Sequence, residues 1–187
     1  MTATLASNSG ESHKLLAMTK ALMIVDVQAG AFFGPWKIPN SQDLLVRIGE
    51  RLMDAREAGM PVIHIQNDGP EGDADAPGEP MWELVFGQKD NEIVFRKTKP
   101  NVFEDPEVGQ ELHARGITEL EVIGVQSDIC VRASSIGAID AGFQVSLDRA
   151  MHATYDGGWP GATEGPSATE ISDRVQAEVE AHAKQAS

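Results

Sequence analysis

Short apolar runs rich in β-branched residues recur along this chain, and stretches with helical spacing that end at a glycine separate them. The runs are Leu22 to Val27, Pro61 to Ile65, Ile93 to Phe95, Leu120 to Val125 and Phe143 to Leu147. Runs this short and this continuous read as strands buried on both faces. Between them, Ser41 to Ala58 puts Leu44, Leu45, Ile48, Leu52 and Ala55 on one helical face, with Ser41 as N-cap and Gly59 as the stop. Asp105 to Ala114 reads as a helix stopped at Gly116, and Ile129 to Ala141 as one stopped at Gly142. Ala168 to Ala183 closes the chain as a helix. This alternation folds as parallel strands joined by right-handed crossovers, with helices on both faces. Asn67 to Pro80 and Asp156 to Gly165 are rich in glycine and read as loops. Residues 1–18 are small and polar and read as a flexible tail, which leaves 19–187 as one domain.

Charge narrows the partners. The chain has 15 basic and 29 acidic side chains, a formal net charge of −14, and no cluster of Lys or Arg. Nucleic acid and anionic membrane surfaces both need a basic footprint, so a small molecule is the expected partner. No run of about 18 apolar residues spans a membrane, and Met1 to His13 lacks the apolar segment of a signal peptide. The expected location is therefore the cytoplasm. A single cysteine, Cys130, fits a reducing compartment. Neither HExxH nor paired cysteine ligands occur, so no metal is expected. Neither GxGxxG after the first strand nor GxxxxGK[ST] occurs, so no cofactor is expected.

In open parallel sheets, ligands bind beyond the carboxyl ends of the strands. The first strand runs into Asp26, the second into Gln66, Asn67 and Asp68, and the third into Arg96 and Lys97. The fourth runs into Gln126, Ser127, Asp128 and Cys130. An acid, a base and a thiol thus fall on one edge. Cys130 is expected in the first turn of a helix, where unpaired N–H groups favour a thiolate and can hold an oxyanion. On position alone, a lone cysteine packed beneath its helix is the commoner case. Asp26 ends a buried run, so it needs a partner or a shifted pKa; a helix cap or structural ion pair would also satisfy it. Lys99 rivals Lys97. His64 lies inside a strand, and His152 follows the fifth strand within reach of the cleft.

Three segments carry a family resemblance. They are Ala21-Leu22-Met23-Ile24-Val25-Asp26-Val27-Gln28, then Arg96-Lys97-Thr98-Lys99-Pro100-Asn101-Val102-Phe103, then Gly124-Val125-Gln126-Ser127-Asp128-Ile129-Cys130-Val131-Arg132 with Ala133, Asp140, Ala141 and Gly142 after it. Together they resemble the isochorismatase-like cysteine hydrolases, over roughly Ala21 to Tyr155. The family's lysine stands six residues before a phenylalanine, which selects Lys97 over Lys99. The resemblance implies a Rossmann-like three-layer αβα sandwich with a mostly parallel sheet of about six strands. It implies Asp26, Lys97 and Cys130 as catalytic residues, a cis peptide between Val125 and Gln126, and an oxyanion hole from the N–H groups of Gln126 and Cys130. It implies hydrolysis of a small amide, lactam or ureide through a thioester, by a homo-oligomer such as a dimer or tetramer. An isochorismatase cleaving a vinyl ether, or an inactive binding protein of the same fold, are the alternatives. Phe32, Trp36, Gln66, Trp82 and Phe103 are the candidate pocket residues, with ordinary packing as their other reading. Nicotinamidases of the family bind a metal through an acid and histidines after the second strand; Gln66 to Glu79 has acids and no histidine.

Overall fold

A computed structural model describes residues 19–186; the expected tail, residues 1–18, lies outside the described residues. The elements are β1 (Thr19–Val25), α1 (Ala29–Phe33), α2 (Ser41–Glu57), β2 (Val62–Asn67), β3 (Ile93–Lys97), α3 (Pro106–Ala114), β4 (Ile117–Val125), α4 (Arg132–Asp140), β5 (Gln144–Ala153) and α5 (Ala168–Ala186). The strands form one sheet in the order β3-β2-β1-β4-β5, and every neighbouring pair is parallel. Met23 at its centre sits in register with Ile63 on one side and Val122 on the other.

Strand periodicity builds the layers. Met23 and Val25 face one core with Ile63, Ile65, Leu112, Val122, Val131 and Ala138, which takes in α3 and α4. Leu22 and Ile24 face the other, with Leu44, Ile48 and Leu52 of α2. Successive side chains on a strand point to opposite faces, so one uninterrupted apolar run feeds both cores. Leu22, Ile24, Ile48 and Leu52 are buried almost completely, and each contributes about 1.5–3 kcal/mol. The helix α5 joins through Val175 and Val179, packed with Ile139 of α4. Among the described residues, no helix is long and apolar enough to cross a membrane.

Among the described residues the sheet has five strands, where the resemblance implies about six. After β5 the chain passes through a loop holding Gly157, Gly158, Pro160, Gly161, Gly165 and Pro166 and goes directly into α5. That stretch has no apolar run from which a further strand could form.

Strand β5 is also longer than its apolar run. It pairs as far as Ala153 opposite Val125, but the register shifts between Val122 and Gly124. The polar pair Asp148 and Arg149 swings outward there, with the Asp148 side chain accepting from the Ala150 N–H at 2.8 Å. Gly124 is the residue that lets β4 continue beside β1. Its φ is +129°, and a Cβ at this position would lie 2.1 Å from the Val25 carbonyl oxygen.

Candidate active site

At the carboxyl end of β1 the backbone turns sharply. Asp26 adopts φ +50°, a left-handed conformation that costs a non-glycine residue roughly 1–2 kcal/mol and that aspartate tolerates better than most. The turn is held by its N–H, which donates to the Ile65 carbonyl at 2.9 Å, and by its own carbonyl, which accepts from Gln28 at 2.8 Å. Gln28, buried just beyond, ties this end of β1 to the end of β2. Its Nε2 donates to the carbonyls of Asn67 and Trp82, both at 2.9 Å, and its Oε1 accepts from the Asn67 N–H at 2.8 Å.

Lys97 is the last residue of β3, in register with Asn67. Its Nζ donates to Asp26 Oδ2 at 2.8 Å, to Asn67 Oδ1 at 3.2 Å and to Cys130 Sγ at 3.3 Å. Three donors thus meet three acceptors on three segments. The side chain of Lys97 is 4% exposed and that of Asp26 12%. Lys99 lies outward, two-thirds exposed, and pairs with Glu104 at 2.9 Å. Lys97 closes β3 and is buried against Asp26 and Cys130, whereas Lys99 stands beyond the strand end at the exposed part of the cavity wall.

Cys130 follows β4 in a segment whose geometry differs from the expected α-helical first turn. Ser127–Val131 is one turn of π-helix that runs into α4. The Gln126 carbonyl accepts from Ile129 at 3.3 Å and from Val131 at 3.0 Å, so these two bonds straddle Cys130. The peptide bond between Val125 and Gln126 is cis. Single π turns inside helices widen the coil locally and recur at functional sites.

The electrostatics also differ from expectation. Burial raises the Asp26 carboxyl above its ordinary range, with the Lys97 ammonium opposing that rise. Burial lowers Lys97, but the charges of Asp26 and Cys130 outweigh it and leave the lysine raised. The Cys130 thiol is pushed up to about 12, first by burial and then by the negative charge of Asp26, which exceed the opposing effect of Lys97. Cys130 is therefore held as a thiol, not as the thiolate that a helix N-terminus would favour. Asp26 Oδ1 is buried and lacks a hydrogen-bond partner among the described residues, which leaves an acceptor beside the paired Oδ2.

Asp26 and Cys130 line a cavity of about 530 Å³, together with Val125, Gln126, Trp36 and Trp159. Of the five candidate pocket residues, the structure puts Trp36 on the wall and the other four elsewhere. Phe32 is fully buried in the α2 core, because the short helix α1 turns it inward and leaves Phe33 outside. Gln66 is buried and spends its amide on the Trp82 carbonyl at 3.0 Å. Trp82 donates to Asp68 at 2.9 Å, with the Arg96 guanidinium 5.1 Å from its ring centroid. Phe103 packs on Phe143, with ring centroids 5.7 Å apart. Met81, Asp75 and Tyr155 reach the wall instead. They come from loops, Tyr155 from just beyond β5, where periodicity carries no signal. His64 is occupied by Glu92, at 3.0 Å. Among the described residues, no three His, Cys, Asp or Glu side chains gather as metal ligands.

Comparison with known proteins agrees with the fold. The family model described as the isochorismatase domain matches residues 20–159. A streptothricin hydrolase of Streptomyces noursei is 40% identical over 166 residues, covering 88% of this chain. The chain spans only 57% of that relative's length. A ureidoacrylate amidohydrolase of Variovorax paradoxus is 28% identical over 181 residues, covering 76% of this chain and 72% of the relative. The crystal structure of an isochorismatase from Pseudomonas putida KT2440 superimposes with a TM-score of 0.77 at 27% identity, covering 86% of this chain and 83% of that one. With the five-stranded parallel sheet and the matched span holding Asp26, Lys97 and Cys130, the chain belongs to the isochorismatase-like hydrolase family.

Proposed function

We propose that this chain is a cysteine hydrolase that cleaves the C–N bond of a small amide, lactam or ureide through a thioester. The observation that carries this reading is the contact of Lys97 Nζ with both Asp26 and Cys130, two residues that line a cavity large enough for a small molecule. The names of the relatives, a streptothricin hydrolase and a ureidoacrylate amidohydrolase, support hydrolysis of that class.

Chemistry follows from the resting protonation. Cys130 holds its proton until a substrate displaces water from the cavity. The Asp26 carboxylate then accepts that proton, and the thiolate attacks the carbonyl carbon. The N–H groups of Gln126 and Cys130 hold the oxyanion. As the tetrahedral species collapses, the C–N bond breaks and Asp26 returns the proton to the leaving nitrogen. Asp26 next takes a proton from water, whose oxygen attacks the thioester; the sulfur leaves and is reprotonated. The sum is one amide and one water converted to an acid and an amine. Burial raises the carboxyl, which suits a group that must both take and give a proton near neutral pH. Lys97 keeps the charge of the Asp26–Cys130 pair balanced throughout.

The same reading places the chain in the cytoplasm, as a dimer or tetramer, acting on a small molecule. Its test is a screen of small amides, lactams and ureides, with release of amine or acid measured for the wild type and for Cys130→Ala. Turnover by the wild type and none by the variant is expected. A substrate hydrolysed equally by both would overturn the reading.

A further inference from the structure

Beneath the π turn lies a line of buried polar side chains that the chemistry above does not use. Ser127 Oγ is 2.8 Å from His152 Nδ1 and 2.9 Å from Ser172 Oγ, and His152 Nε2 is 3.3 Å from Gln176 Oε1. Ser127, Ser172 and His152 are 0%, 1% and 2% exposed. Such groups are costly to bury unless each finds a partner.

Their directions follow from the far end. Gln176 Nε2 donates to the Leu147 carbonyl at 2.6 Å and to Glu180 at 2.7 Å, both of which only accept. The oxygen of the Gln176 amide therefore faces His152, and His152 carries its proton on Nε2. Its Nδ1 can then only accept, so the Ser127 hydroxyl donates to it and accepts in turn from Ser172. Burial keeps the imidazole neutral, which this arrangement requires. One ordered chain runs from Ser172 on α5 through Ser127 to His152 on β5 and back to Gln176 on α5. The neighbouring residue of the turn is fastened to the same strand end: Asp128 accepts from Thr154 Oγ1 at 2.6 Å.

We propose that Ser127 and His152 are positioning residues that hold the π turn, and with it Cys130 and the Gln126 N–H, in register with Asp26 and Lys97. The proposal rests on the reading of Cys130 as the nucleophile. Ser127 stands three residues before Cys130 and directly after Gln126, and it is the buried polar side chain of the turn. Cys130 Sγ sits 3.3 Å from Lys97 Nζ, so a displacement of about 1 Å breaks that contact and can cost up to about a hundredfold in rate. Filling these positions with apolar residues would serve packing equally well, whereas a directed chain from two elements fixes a position as well as a volume.

The test compares Ser127→Ala, His152→Leu and His152→Asn in the full chain, the last because an Asn carbonyl reaches the place of Nδ1 and accepts from Ser127. Two readouts are taken on protein whose thermal melt shows it folded. The first is alkylation of Cys130 by iodoacetamide near neutral pH, which needs no substrate. Ser127→Ala and His152→Leu are expected to change that rate by about tenfold and His152→Asn to restore it. The second is hydrolysis, where kcat is expected to fall by about tenfold or more in the first two variants, with KM within about twofold. Ser127→Ala removes a single oxygen and decides the matter if His152→Leu does not fold. Alkylation and kcat within about twofold of wild type in folded Ser127→Ala, or His152→Asn as impaired as His152→Leu, would overturn the proposal. A wild type that hydrolyses none of the amides while the alkylation shifts remain would instead overturn the proposed function alone.

Discussion

Replacing Lys97 by methionine keeps the unbranched stem of the side chain and removes its charged end and three hydrogen bonds. The bonds lost are those to Asp26 at 2.8 Å, Asn67 at 3.2 Å and Cys130 at 3.3 Å. Asp26, whose side chain is only 12% exposed, then loses its cation and keeps the Cys130 thiol as its side-chain partner. Breaking a buried pair by removing one partner costs about 3–5 kcal/mol, because the remaining charge is stranded. For a chain of this size each kcal/mol moves the midpoint by about 2–4 °C, so the melt should fall by roughly 6–20 °C at neutral pH. The pH dependence has a definite sign. Burial already raises Asp26, and loss of the cation raises it further. The folded variant is penalised where Asp26 must be charged and is relieved as the carboxyl takes a proton. The deficit against wild type should therefore shrink as pH falls toward the ordinary carboxylate range of about 4. Lys97→Met with Asp26→Asn should be less destabilised than the sum of the two single changes, by up to about 3 kcal/mol. Thermal melts of the four proteins across a pH series give the answer. A Lys97→Met protein that melts within about 2 °C of wild type, or a deficit independent of pH, would refute the reasoning.

Other consequences are as direct. Cys130 in the free protein should alkylate slowly at neutral pH, since its thiol lies up near 12 rather than at its ordinary value, and Asp26→Asn should speed the reaction by removing the like charge. Fast alkylation of the wild type that Asp26→Asn leaves unchanged would contradict this. His152 titrates near 4 against an ordinary value of 6.5, because it is buried. The unfolded chain takes up that proton first, so the His152 contribution is intact above pH 6.5 and is lost as pH falls toward 4, by about 3 kcal/mol in all. Denaturant titrations across that window should show the loss in the wild type and a flatter curve in His152→Asn. Gly124→Ala forces a Cβ against the Val25 carbonyl at 2.1 Å, in a backbone conformation unfavourable to alanine. It should cost about 3 kcal/mol or more and loosen the end of β4 that carries Cys130; a melt like that of wild type would count against the close approach.

The parts of this fold that could be read in advance are those where burial writes itself into composition. Leu22 to Val25 is buried on both faces, and a continuous apolar run is what such a strand requires. The helix α2 showed its face through Leu44, Ile48 and Leu52, all of which are buried. Asp26, Lys97 and Cys130 stand at or just beyond legible strand ends that the sheet brings together, but position alone left Lys99 as a rival and Cys130 as a packed thiol, and the family resemblance is what singled the three out. What stayed hidden depends on geometry with no compositional trace. The outer half of β5 lies behind Asp148 and Arg149, which look like a loop because they swing out at the register shift. The π turn uses residues that would serve an α-helix equally well. The aromatic candidates fared unevenly because a large ring signals burial and not its location: Phe32 and Phe103 fill cores, Trp82 clamps a loop, and Trp36 reaches the cavity. The chain Ser172-Ser127-His152-Gln176 joins positions far apart in sequence, so only the fold could reveal it.

The central claim is a covalent bond between Cys130 and the acyl part of the substrate, and intact-protein mass spectrometry after rapid acid quench tests it most directly. The wild type mixed with a hydrolysable amide should show a mass increase equal to the acyl group, mapped to the peptide bearing Cys130 and absent from Cys130→Ala. Steady turnover with no adduct at any quench time, in a protein whose Cys130→Ala variant keeps its rate, would contradict the account.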